Sequence, residues 1–236
     1  MLNRAAKRFY TEASMVSDGD GFCVSLDGMV VKTPNGGELV LPCARLAEAI
    51  AAEWDAQVDL IKPATMPVMG LACTAIDKVR PNREGIIDNI TNYGANDLLC
   101  YRAEGPDDLV ARQAKVWQPL LDWAQETYGT HLECTVGIVH INQSDATVSK
   151  LRIAVDNHDD FELTALAELT QLSGSLVLGL ALSCGQIDWA QVFEAAEVDE
   201  IWQNERWGED EEAKKRKVSL SHDIEMAAHF LTLLRE

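Results

Sequence analysis

Asp18-Gly19-Asp20-Gly21, Phe22-Cys23-Val24-Ser25-Leu26, Asp27-Gly28 and Met29-Val30-Val31-Lys32 run on from one another and set the fold class of this chain. Two turn clusters bracket a segment whose residues alternate with period two, as a half-buried strand requires. Asp27-Gly28 is a strong hairpin signal, because both central residues of the favoured two-residue turn need positive φ. Working outward, Tyr10 to Val16 alternates weakly. Thr33-Pro34-Asn35-Gly36-Gly37 makes another turn, and Leu39-Val40-Leu41 adds a short strand before Pro42. The start of the chain reads as a small antiparallel sheet of meandering hairpins.

From Cys43 the apolar period becomes helical. Leu46, Ile50 and Trp54 recur at four-residue steps, which assigns Trp54 a structural place on the core face of its helix. Pro63 to Pro67 interrupts the pattern, and Leu71 to Val79 and Arg83 to Tyr93 read as two short helices. Asp97 to Ala103 reads as a strand or an extended link, and Pro106 to Tyr128 as a long amphipathic helix with Gly129 at its C-terminus. Cys134 to Ile141 alternates and adds a possible strand. Asp145 to Asp156, Phe161 to Cys184, Trp189 to Trp207 and Ser219 to Leu234 read as four more helices, with Lys214 to Lys217 a solvated turn. The expected fold is α+β: a small antiparallel β-rich N-terminal domain with short helices over residues 1–100, then a larger, mostly helical C-terminal domain over 101–236.

Composition narrows the function. The net charge of −18 repels phosphate backbones and disfavours nucleic acid and anionic membranes as partners. It favours a basic or mixed-charge protein partner. The six cysteines are scattered without a C-x-x-C pair, as expected of reduced thiols in a cytosol-like compartment. Leu169 to Ile187 carries no formal charge, but its Ser, Thr and Gln content and acidic flanks assign it to a central helix of a soluble domain rather than a membrane span. Within it, Ser175, Gly179 and Ser183 form a small face suited to close helix packing.

Motifs for catalysis are lacking. Gly174 and Gly179 are not followed by Lys-Ser/Thr, so the phosphate loop is incomplete, and no G-x-S-x-G elbow occurs. His222 and His229 lie two turns apart on the last helix without further obvious ligands, so neither a metal nor any other cofactor is expected. Tyr93, Asn96 and Asp97 fall at the expected domain junction, where ligand sites are common.

The stretch Phe193 to Glu212 stands apart. It holds nine acidic residues, one base and two tryptophans, Trp202 and Trp207. Solvation explains the acids but not the aromatics, which need burial or a partner. Glu205, Arg206, Trp207, Asp210 and Trp202 are the candidate partner-binding residues, with Gly208 structural as the turn after the helix. The bland alternative is a helix that tucks both rings into its own core.

Several phrases, read together, resemble the family of assembly chaperones that bind the free α subunit of the ATP-synthase catalytic sector in mitochondria and α-proteobacteria. They begin with Arg8-Phe9-Tyr10, Leu26-Asp27-Gly28 and Lys32-Thr33-Pro34. Leu41-Pro42, Ala47 to Gln57, Pro63 to Pro67 and Leu71 to Asp77 follow, then Asp97 to Arg102, Trp117 to Leu120 and Glu205 to Asp210. Cys73 stands where the family pattern leads one to expect Asn. The resemblance implies a β-rich N-terminal domain, a helical C-terminal domain, and a binding protein without enzymatic activity. It implies shielding of the surface by which the α subunit meets β, and a monomer when free. The absence of an obvious transit peptide points to a bacterial cytoplasm, or a mitochondrial matrix if the source is eukaryotic. The competing expectation is a small-molecule enzyme with a polar site at the interdomain junction; a stable adaptor for another basic partner is the third.

Overall fold

The computed structural model describes residues 6–19 and 21–235. Strands β1 (Ala13–Asp18), β2 (Gly21–Leu26) and β3 (Met29–Val30) form one antiparallel sheet in that order. Ala13 pairs with Leu26 and Asp18 with Gly21, and the second hairpin closes at Leu26 and Met29. Asp27 and Gly28 take positive φ of 49° and 87°, as the two-residue turn demands. The Asp27 carboxylate also accepts the backbone N–H groups of Thr11 and Glu12, at 2.9 Å each, and these bonds hold its pKa below the ordinary range.

Helix α1 (Ala44–Asp55) lies against β1 and β2, burying Leu46, Ala47, Ile50 and Ala51. Helix α2 (Pro67–Thr74) continues through a wider turn, Ala75–Val79, into α3 (Arg83–Ala95). The N-terminal N–H groups of α2 meet the carboxylate of Glu53 on α1, which accepts from Val68 and Met69 at 2.8 Å each.

The rest is mainly helical: β4 (Tyr101–Arg102), α4 (Asp107–Tyr128), β5 (Thr135–Val136), α5 (Asp145–Asp156), α6 (Asp160–Ser173), α7 (Leu176–Ser183), α8 (Trp189–Ala196), α9 (Val198–Trp207) and α10 (Glu211–Arg235). Strands β4 and β5 pair in parallel through α4, with Tyr101 opposite Thr135. The architecture is α+β, a three-stranded antiparallel sheet preceding a mostly helical remainder. The described residues form two compact units, one within 6–83 with 160–164 and 229–235, the other of 84–159 with 165–228.

Local chemistry departs from periodicity at several helix ends. The continuous helix expected over Phe161 to Cys184 breaks at Gly174, whose φ is +70°, and restarts at Leu176. Ser175 caps the restart by accepting the Leu178 N–H at 3.1 Å. Gly179 holds α7 close to α6: a Cβ there would lie 2.9 Å from both Leu166 Cδ1 and Thr170 Oγ1. The helix expected over Trp189 to Trp207 divides at Glu197. The last helix begins at Glu211 rather than Ser219, so Lys214 to Lys217 are helical rather than a turn. Arg216 pairs there with Glu197 at 3.1 Å. The expected strand over Cys134 to Ile141 shrinks to Thr135–Val136.

Candidate functional site on helices α4 and α9

The acidic, aromatic stretch is built on α9 and its neighbours. Val198 and Trp202, one helical turn apart, face inward, and Trp117 of α4 donates its indole N–H to the Ala195 carbonyl at 2.8 Å. These anchors hold α8 and α9 on α4 and leave the acidic edge of α9 outward.

Trp202 and Trp207 have opposite fates. Trp202 is 6% exposed and donates from Nε1 to Asp108 Oδ2 at 3.1 Å. Trp207 is 73% exposed and meets the edge of Trp202 at 5.5 Å between ring centroids, at 82°. Arg206 pairs with Asp108 and stacks on Trp202, its Cζ 3.9 Å from the ring centroid. Glu205 is held by Arg112 of α4 through a bidentate pair, with Nη2 to Oε2 at 2.8 Å and Nη1 to Oε1 at 3.0 Å. Both members of that pair remain partly exposed. A groove of about 450 Å³ runs beside it, lined by Ala111, Arg112, Lys115, Val116, Glu194 and Ile201 among others.

The end of α9 is shaped by Gly208, whose φ is +83° and whose N–H bonds the Asn204 carbonyl at 3.0 Å. Asp210 caps α10, accepting the N–H groups of Glu212 and Ala213 at 2.9 and 2.7 Å. The structure therefore brings Trp202, Glu205, Arg206 and Trp207 together at the C-terminal end of α9, with Trp202 covered and Trp207 exposed, and gives Asp210 a capping position. Arg112 and Asp108 escaped sequence reading. They lie more than ninety positions away from their partners, and Asp108 looks like an ordinary first-turn acid.

Trp54 lies elsewhere and is half-buried, its hydroxyl-bearing neighbour Tyr10 packed edge-on at 5.6 Å. It lines a cleft of about 500 Å³ with Pro34, Ile61, Met66, Met69 and Cys73. The cleft is chiefly apolar, and burial followed by the nearby Asp77 charge pushes the Cys73 thiol up to about 11. Of the residues named for the junction, Asp97 is fully buried. It accepts the Leu99 N–H at 3.1 Å and the Val177 N–H at 3.0 Å, which ties it to the start of α7. No group of three or more His, Cys, Asp or Glu side chains among the described residues could hold a metal ion. Among the described residues no helix is long and apolar enough to cross a membrane.

A family profile described as ATP12 chaperone protein matches residues 7–125. The crystal structure of Atp12 from Paracoccus denitrificans is similar throughout, with a TM-score of 0.94 and 39% identity, covering 98% of this chain and 99% of that one. A point mutant of the same P. denitrificans protein matches with the same TM-score and identity over 98% of each chain. A further solved structure, from Agrobacterium tumefaciens, is 35% identical with a TM-score of 0.93, covering 97% of this chain and 86% of that one. The chain belongs to the ATP12 chaperone family.

Proposed function

We propose that this chain is a chaperone of ATP-synthase assembly whose client is the unassembled α subunit of the catalytic sector. Membership of the ATP12 chaperone family supports the assembly role and implies a binding protein rather than an enzyme. An α subunit without β carries an uncovered assembly surface, and such a surface invites aggregation. Covering it needs complementarity, not chemistry.

The observation that carries the reading is Trp207, an exposed tryptophan on an acidic helix edge beside the Arg112–Glu205 pair. Exposed Trp rimmed by charge has the composition of an interface anchor. Glu205 presents a carboxylate that exchanges Arg112 for a client arginine or backbone donor, and Arg206 holds the Trp202 platform beneath Trp207. Asp210 orders the turn beyond, and the acidic surface steers a basic or mixed-charge client. The free chaperone acts as a monomer.

The test is capture of the tagged chain from cells of its own kind that make the α subunit in excess of β. Recovery of free α subunit without assembled enzyme supports the proposal. A capture that yields assembled enzyme or no α subunit overturns it.

A further inference from the structure

We propose that Cys100 and Cys134 form a reversible intramolecular disulfide on exposure to a peroxide-class oxidant. This dithiol site is independent of the α9 surface, and no C-x-x-C spacing marks it.

The geometry comes from the parallel pair of β4 and β5. Tyr101 lies opposite Thr135 and Arg102 opposite Val136, so Cys100, the last residue of a short 3-10 turn, and Cys134 immediately precede the paired positions. Neighbouring strands stand about 4.8 Å apart. Disulfides span Cα separations of about 4.4–6.8 Å. Opposed residues of a parallel pair also project to the same side, and the Cys134 thiol lies near enough to be among the groups that push the Cys100 thiol up, after burial and the Asp97 charge. Continued one residue back, that register places the two positions within the span a disulfide needs.

The two thiols differ in the way a sensor pair requires. Cys134 is exposed and open to oxidant, whereas Cys100 is buried. Burial, then the nearby Asp97 charge, pushes the Cys100 thiol far up, so it does not react first. Cys134 Sγ attacks one oxygen of hydrogen peroxide, the O–O bond breaks, water leaves, and Cys134 becomes a sulfenic acid. Cys100 Sγ then attacks Cys134 Sγ, the S–O bond breaks, and the hydroxyl leaves with the Cys100 proton as a second water. Two thiols are oxidised and one peroxide is reduced. A small dithiol reverses the bond by exchange.

The site sits at the base of a loop with an unusual surface. Gln143 closes that loop, accepting the Glu133 N–H and donating to the Glu133 carbonyl at 2.9 Å each. Gly137 donates to the Arg102 carbonyl at 2.8 Å. Between these ties lie three exposed apolar residues, Val136, Val139 and the 100%-exposed Ile138. A Cys100–Cys134 bond adds a covalent tie between the loop base and β4, and so fixes the position from which this apolar tip projects.

The experiment exposes the reduced full chain to hydrogen peroxide, alkylates it, and maps its peptides without reduction. The expected result is loss of two of the six thiols and one cross-linked species joining Cys100 to Cys134, both restored by dithiothreitol. Cys134→Ser, a substitution at an exposed position, keeps the circular dichroism of the parent and loses the cross-link. Amide exchange over residues 133–143 slows in the oxidised chain. The proposal is overturned if Cys134 ends as a sulfinate, or bonds to Cys184 or to a second chain, while Cys100 is still alkylated after unfolding. Unchanged exchange in the oxidised loop overturns the tethering role.

Discussion

Two carboxylates, one fully buried and one half-exposed, show how this chain separates folding from binding. Asp97 is completely buried, is in no ion pair among the described residues, and is held by the backbone N–H groups of Leu99, in the turn that follows it, and Val177, at the start of α7, with Ser175 beside them. Glu205 lies on an exposed helix edge and is held by one arginine on a neighbouring helix. A buried carboxylate whose donors have no alternative partner is a determinant of structure. An exposed ion pair is worth about 0.2–1 kcal/mol and is free to be exchanged for a similar pair on another protein. The two sites therefore respond to mutation in opposite assays.

The largest expected effect is at Asp97. Asp97→Ala leaves the Leu99 and Val177 N–H groups without their acceptor and destabilises the chain by about 4 kcal/mol in urea unfolding. A loss below about 1 kcal/mol breaks the contrast. Burial, the dominant influence, raises the Asp97 pKa to about 6 against the opposing bonds from Ser175, Val177, Leu99 and Leu176. Because the folded value lies above the unfolded one, the contribution is fully present below about pH 4 and is lost as pH rises through about 6. That component is on the order of 3 kcal/mol for a shift of this size. It is read as the part of the stability–pH slope between those values that disappears in Asp97→Asn.

The tryptophan pair sharpens the comparison within a single helix. Trp202→Ala removes a buried ring and its bond to Asp108, costing about 3 kcal/mol of stability by thermal or urea unfolding. Trp207→Ala costs less than about 0.5 kcal/mol of stability, yet weakens client binding by roughly 30-fold, the scale of an interface anchor. Equal stability losses at the two positions would remove the distinction between platform and anchor. Arg112→Ala is expected to cost a similarly small amount of stability, about 0.5 kcal/mol in urea unfolding, since it breaks one partly exposed pair.

Much of the fold was legible because it rests on local rules. Asp27-Gly28 announced its turn, and the helical period after Cys43 announced α1. The breaks at Gly174 and Glu197 were not legible, because α7 starts where Ser175 and the distant Asp97 supply acceptors that no periodicity records. At the candidate site, composition marked Trp202, Glu205, Arg206 and Trp207, but not which ring would be covered. That depends on Asp108 and Arg112, which reach α9 only through the packing of α4. Cys100 and Cys134 are brought side by side only by a strand register of two residues a side that begins just after them, too short to leave a pattern.

The most direct test of the α9 reading is titration of purified α subunit with the parent chain and with Glu205→Lys, following complex formation and the suppression of α-subunit aggregation. The account predicts that Glu205→Lys keeps the circular dichroism and melting behaviour of the parent within about 1 kcal/mol, yet neither binds nor protects the α subunit. A folded Glu205→Lys chain that binds and protects as well as the parent would contradict it.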